Sequence, residues 1–211
     1  MQQSTFSWES FRSTPVVAIL RGQPLTTCLK IAKTLQETGF FTLEVTMNTP
    51  QVATIISELR GRFPELNVGA GTVCTMSELE VALAAGAMFV VTPIIDEAVI
   101  RTCVERKIPV FPGAYTPTEI FHAWSLGADA VKVFPASQLG VQYIKDLSGP
   151  LPQIKLIPTG GVALENIASF FSAGVAGVGM GSSLLDKELI KREDYTSLRI
   201  HFARIKAALP I

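Results

Sequence analysis

At 211 residues and 48% apolar content the chain can bury a full core, and its length suits one large domain. Formal charge is balanced, with 18 basic against 18 acidic residues and no block of like sign, so a nucleic acid partner is not expected. Residues 1–11 lack the basic-then-apolar layout of a signal peptide, and the longest apolar run, 81–91, is broken by Gly86 and too short to span a bilayer. Cys28, Cys74 and Cys103 are odd in number, widely spaced and without a CxxC pair, which speaks against a disulfide framework or a zinc site. The expectation is a soluble protein of a reducing cytoplasm with no membrane partner.

After a short leading segment, expected to carry a brief N-terminal helix, the chain falls into units of roughly 20 to 26 residues. Strand-like apolar runs recur at 16–20, 41–45, 67–70, 87–91, 108–111, 130–134, 155–157 and 176–178, each followed by a helical stretch. Thr49 and Pro50 read as a helix N-cap with proline at the first position, ahead of the stripe Val52, Ile55, Ile56 and Leu59. Thr75 with Glu78, and Thr116 with Glu119, spell capping boxes. Gly39, Gly86, Gly127 and Gly174 each close a helical stretch just before the next strand. Eight alternating units with short connections predict a parallel α/β fold, a single-domain (β/α)8 TIM barrel over residues 1–211. An open doubly wound sheet is the runner-up.

In such a barrel the chemistry gathers at the C-terminal ends of the strands. The first predicted strand ends at Arg21 and Gly22. The second alternates so that Thr42, Glu44 and Thr46 share one face and Leu43 and Val45 the other. In the sixth, Ala130, Lys132 and Phe134 share a face opposite Val131 and Val133. Counting around eight strands brings Glu44 and Lys132 toward each other across the interior. Two readings of Lys132 stand side by side: a lysine whose stem packs while its ammonium reaches water, or a desolvated amine acting as a nucleophile toward carbonyls. A buried Glu44–Lys132 pair that merely neutralises itself is the corresponding bland alternative.

The seventh and eighth strands end in Thr159-Gly160-Gly161 and in Gly179 to Ser183, each followed by residues able to start a helix. Backbone amides exposed by glycine at these two loops suit a phosphate group, and ordinary turn geometry is the plainer explanation. His122 and His201 both fall on helical stretches away from any strand end, so no metal site is expected, and a serine-hydrolase elbow is missing.

The segments 18–22 (AILRG), 44–50 (EVTMNTP), 69–73 (GAGTV), 91–93 (VTP), 132–137 (KVFPAS), 158–161 (PTGG) and 181–183 (GSS), in this order, resemble the aldolases of 2-keto-3-deoxy-6-phosphogluconate (KDPG) and 4-hydroxy-2-oxoglutarate (KHG), including the branch acting on the galactonate epimer. The resemblance implies a metal-free, cofactor-free class I aldolase, a homotrimer. Its small phosphorylated 2-keto acid substrate would be cleaved to pyruvate and glyceraldehyde 3-phosphate. It makes Lys132 the Schiff-base lysine and Glu44 the proton shuttle. Thr72 and Thr159 would hydrogen-bond the pyruvyl unit, Phe134 and Pro93 would wall the amine, and Gly160, Gly161, Gly181 and Ser182 would grip the phosphate. Asn48 departs from the gluconate branch, which typically has arginine there, while Thr46 stands where the galactonate branch tends to have proline. With that mixed pattern, Arg21 is the nearest cation for the substrate carboxylate. A sugar-phosphate isomerase or epimerase, needing acid and base but no iminium, and a non-catalytic phosphate-ligand barrel are the readings from other classes.

Overall fold

The computed structural model describes residues 5–210. It opens with α1 (Trp8–Ser13) and then alternates strand and helix: β1 (Val16–Leu20), α2 (Leu25–Thr38), β2 (Thr42–Thr46), α3 (Val52–Arg62), β3 (Asn67–Gly71), α4 (Met76–Ala84), β4 (Val90–Val91) and α5 (Glu97–Glu105). The fifth predicted strand, 108–111, is ordered as β5 (Val110–Phe111), and beyond Pro112 a further short strand, β6 (Gly113–Ala114), follows that was not expected. It is followed by α6 (Pro117–Ser125), β7 (Val131–Val133), α7 (Ala136–Ser148), β8 (Leu156–Pro158), α8 (Ile167–Ser172), β9 (Val178–Met180), α9 (Lys187–Lys191) and α10 (Tyr195–Ala207). The expected N-terminal helix is therefore α1, and the sixth, seventh and eighth predicted strands are β7, β8 and β9.

All strand pairs are parallel. Six strands form one sheet in the order β5-β4-β3-β2-β1-β9, and three form a second in the order β6-β7-β8. Lys132 N–H donates to Pro112 O at 2.9 Å where the two sheets meet, and on the far side a single parallel bridge joins Thr159 to Gly179. Several strands differ from expectation in length and register: the 87–91 run orders only Val90 and Val91 as strand, and the 176–178 run pairs at Val178–Met180. Alternation of apolar residues marks a face but not its end, which is set by what the neighbouring strand offers.

The core has two parts. Leu43, Val45, Val131 and Val133 point outward and pack with the helices, as the alternation predicts. Val17, Phe89, Val91, Phe111, Ala130 and Ile157, drawn from strands or strand approaches of both sheets, pack together inside with Phe6 and Phe11. Both sheets therefore turn one face to a common interior. Trp8 and Phe11 carry α1 onto the strand beginnings, Phe11 lying 6.2 Å from Phe111 between ring centroids. Asn67 secures this segment, its Oδ1 accepting from Ser7 N–H at 2.8 Å and its Nδ2 donating to Ser7 O at 2.9 Å.

Both capping boxes form, at Thr75 with Glu78 and at Thr116 with Glu119. The cap expected at Thr49 does not: α3 starts at Val52 behind Gln51, whose φ is 59°, while Thr49 is buried with its hydroxyl taken by Gly22 N–H. The loops after β8 and β9 also differ from expectation, since neither glycine turn leads straight into a helix. A lone turn, with Leu184 and Leu185 N–H both donating to Gly181 O, precedes α9. No helix among the described residues is long and apolar enough to cross a membrane.

Candidate active site

Glu44 is 1% exposed at the centre of β2, paired in register with Ile19 of β1 and Gly69 of β3. Lys132, 5% exposed, is the middle residue of β7, in register with Gly113 and Ile157. Their side chains line one small void of about 10 Å³ together with Val17, Ile19, Val91, Phe111, Ile157, Thr159 and Gly179. That volume is on the scale of a single water molecule. Glycine makes this arrangement possible at β3, because a Cβ at Gly71 would run into the Glu44 carboxylate.

Burial in this apolar lining dominates the electrostatics. It raises the Glu44 carboxyl above its usual range, with the charges of Lys132 and Arg21 pulling the other way. It lowers the Lys132 amine, helped by Arg21 and opposed by Glu44. Both shifts favour neutral forms, so Lys132 is biased toward the free amine that nucleophilic attack requires. The ion pairs between described residues lie on the surface, and Glu44 and Lys132 take part in none of them. The Lys132 Nζ stands 4.8 Å from the centroid of the Phe134 ring, which is 38% exposed at the mouth.

Above the amine opens a cavity of about 430 Å³, a size that holds a small metabolite. It gathers eight of the residues singled out from sequence: Arg21, Lys132, Phe134, Thr159, Gly160, Gly161, Gly181 and Ser182. Sequence reasoning missed Gln23 and Lys187, which line it too. No motif marks either, though Lys187 follows the glycine-serine turn closely enough for that spacing to have been a signal. Besides the Lys132 amine, the charged side chains lining the cavity are Arg21 and Lys187, with no carboxylate among them, so the space suits an anionic ligand.

Asn48, Thr72 and Pro93 do not line that cavity. Asn48 is exposed in the turn after β2, and Pro93 follows β4 close against Gly113. Thr72 follows β3 with φ 58°, a conformation that costs a β-branched residue on the order of 1–3 kcal/mol and is typical of functional sites. His122 bonds Glu97 on the surface, and the His201 ring donates to Ser183 O at 2.9 Å, bracing the loop after β9. Among the described residues no group of three or more His, Cys, Asp and Glu side chains could hold a metal ion.

The sequence pattern described as KDPG and KHG aldolase matches residues 8–200. The 2-dehydro-3-deoxy-6-phosphogalactonate aldolase of Escherichia coli K12 is 38% identical over 172 residues, 81% of this chain and 84% of that protein. The 2-dehydro-3-deoxy-phosphogluconate aldolase of Haemophilus influenzae is 32% identical over 191 residues, 90% of each. Among solved structures, KDPG aldolase from Legionella pneumophila, with pyruvate captured as a covalent carbinolamine, superposes with a TM-score of 0.86 at 30% identity, covering 93% of this chain and 96% of that one. With the profile spanning nearly all of the chain and full-length relatives above 30% identity, this protein belongs to the KDPG and KHG aldolase family.

Proposed function

We propose that the protein is a class I aldolase cleaving 2-keto-3-deoxy-6-phosphogluconate to pyruvate and D-glyceraldehyde 3-phosphate, and also acting on 4-hydroxy-2-oxoglutarate. The observation that carries this function is a buried amine facing a buried carboxyl beneath a cavity with only cationic charge on its walls. The Lys132 amine adds to the C2 ketone, and loss of water gives an iminium. Glu44, through one water, takes the proton of the C4 hydroxyl as the C3–C4 bond breaks, its electrons passing into the iminium to leave an enamine. The same carboxyl returns a proton to C3, which becomes the pyruvate methyl, and hydrolysis frees Lys132. Thr159, which lines both spaces, holds the pyruvyl unit, and Phe134 shields the amine. Gly160, Gly161, Gly181 and Ser182 take the phosphate, with Lys187 adding a cation at that end. The galactonate epimer is the second reading, favoured by Asn48 and by the 38% identity to the E. coli enzyme of that name.

The chain is further proposed to be one domain, with its two sheets closed into a (β/α)8 barrel. In support, the sheets share an interior cluster and are joined by the Thr159–Gly179 bridge. A homotrimer accords with the exposed apolar residues Val104, Tyr115, Phe121 and Trp124 around α5 and α6, and sedimentation equilibrium tests it. Three free thiols accord with a reducing cytoplasm.

Borohydride reduction in the presence of pyruvate should fix a pyruvyl adduct on Lys132, read by peptide mass spectrometry. An unmodified Lys132 peptide, with pyruvate binding verified, would refute the Schiff base and favour an isomerase or epimerase. Arg21→Met should raise KM for pyruvate and both epimers by about 10- to 100-fold, the loss of a charge-assisted contact of roughly 1.5 to 3 kcal/mol. Unchanged pyruvate affinity would mean that the carboxylate is held by other groups.

A further inference from the structure

Arg21 sits between two backbone groups that are both tied to the loop after β2. The amide after it, Gly22 N–H, donates to Thr49 Oγ1 at 3.0 Å. Thr49 Oγ1 lies 3.1 Å from Thr46 Oγ1, and Thr46 Oγ1 in turn donates to Leu20 O, the carbonyl just before Arg21, at 3.5 Å. Each hydroxyl has one proton to give, and with Thr46 donating to Leu20 the relay runs from Gly22 to Thr49 and from Thr49 to Thr46. The chain closes head to tail around Arg21. Thr46 and Thr49 are 0% and 3% exposed, so water cannot replace either hydroxyl without opening the loop. The backbone bond from Thr49 N–H to Thr46 O, at 2.9 Å, and that from Met47 N–H to Gly71 O, at 2.8 Å, hold the donor side rigid from β3. Gly22 itself is in the left-handed region with φ 65°, which glycine adopts at no steric cost.

Given the aldolase function proposed above, we infer that Thr46 and Thr49 form a clasp that orients Arg21 toward the substrate carboxylate, making both positioning residues for substrate binding. Neither threonine lines the cavity, so their effect passes through Arg21. Pre-setting the backbone on both sides of a long cationic side chain reduces what must be ordered on binding.

The test is a double-mutant cycle. Thr49→Val alone should raise KM for pyruvate about 3- to 10-fold, the range expected for one lost hydrogen bond, with kcat nearly unchanged. Thr49→Ser should restore the wild-type value. In an Arg21→Met background Thr49→Val should add less than about 2-fold. Thr46→Val supplies an independent probe with the same pattern, and circular dichroism melts verify that each variant folds. An equal KM penalty with and without Arg21, or no penalty in either threonine variant, overturns the clasp while borohydride trapping at Lys132 still stands. Absence of trapping in the unmodified protein overturns the aldolase function and the clasp's role with it.

Discussion

The Lys132 amine is under opposing influences, and those of its two charged neighbours can be separated by substitution. Burial lowers it, Arg21 lowers it further, and Glu44 raises it. Removing the carboxylate charge in Glu44→Gln should therefore shift the pH inflection for imine formation with pyruvate to lower pH. Removing the cation in Arg21→Met should shift it to higher pH. Both are read from the pH dependence of pyruvate-dependent borohydride trapping, and shifts of the same sign in the two variants would contradict the shared field. Glu44→Gln should also slow C–C cleavage and methyl proton exchange while leaving the imine able to form. The Thr46 hydroxyl reaches the backbone carbonyl before Arg21 and not the ligand, so its proposed effect is on positioning.

At the level of the element, each strand end is prepared by its neighbour. The third strand contributes Gly71 directly beside Glu44, and the space a side chain would occupy is filled by the carboxylate. Gly71→Ala should displace that carboxylate, lowering kcat by roughly 10-fold or more while circular dichroism shows the fold intact. A variant with native kcat would mean that Glu44 tolerates another orientation. The helices are prepared as carefully: Thr75 and Thr116 close reciprocal caps with Glu78 and Glu119, so α4 and α6 start at defined points after β3 and β6.

Across the whole molecule, the aromatic packing around α1 adjoins the reactive pair, sharing Val17, Val91, Phe111 and Ile157 with the void beside Lys132. The beginnings are plugged by Phe6, Trp8 and Phe11 against Phe89 and Phe111, and the ends carry the cavity and its cations. Phe11→Ala should cost about 3 to 5 kcal/mol in denaturant unfolding, because Phe11 is 3% exposed in a close-packed aromatic cluster, and should leave KM unchanged. A change in KM greater than the change in folded fraction would show that the plug and the cavity are mechanically linked.

The alternation of apolar and polar residues along β2 and β7 was enough to put Glu44 and Lys132 on inward faces, because side chains in a strand must alternate whatever surrounds them. Capping boxes were legible for the same reason, being local chemistry within four residues. Thr49 looked equally local and was misleading: its hydroxyl is engaged by Gly22, 27 positions earlier in the chain, and Gln51 takes the cap position in its place. The strand limits, the short strand beyond Pro112, and the presence of Gln23 and Lys187 in the cavity depend on which segments lie side by side. Sequence alone determined the faces, the two helix starts marked by capping boxes and the family-bearing residues. The tertiary structure decided which hydroxyls and cations meet, because hydrogen bonds and charges act over a few ångströms of space and not over positions in the chain.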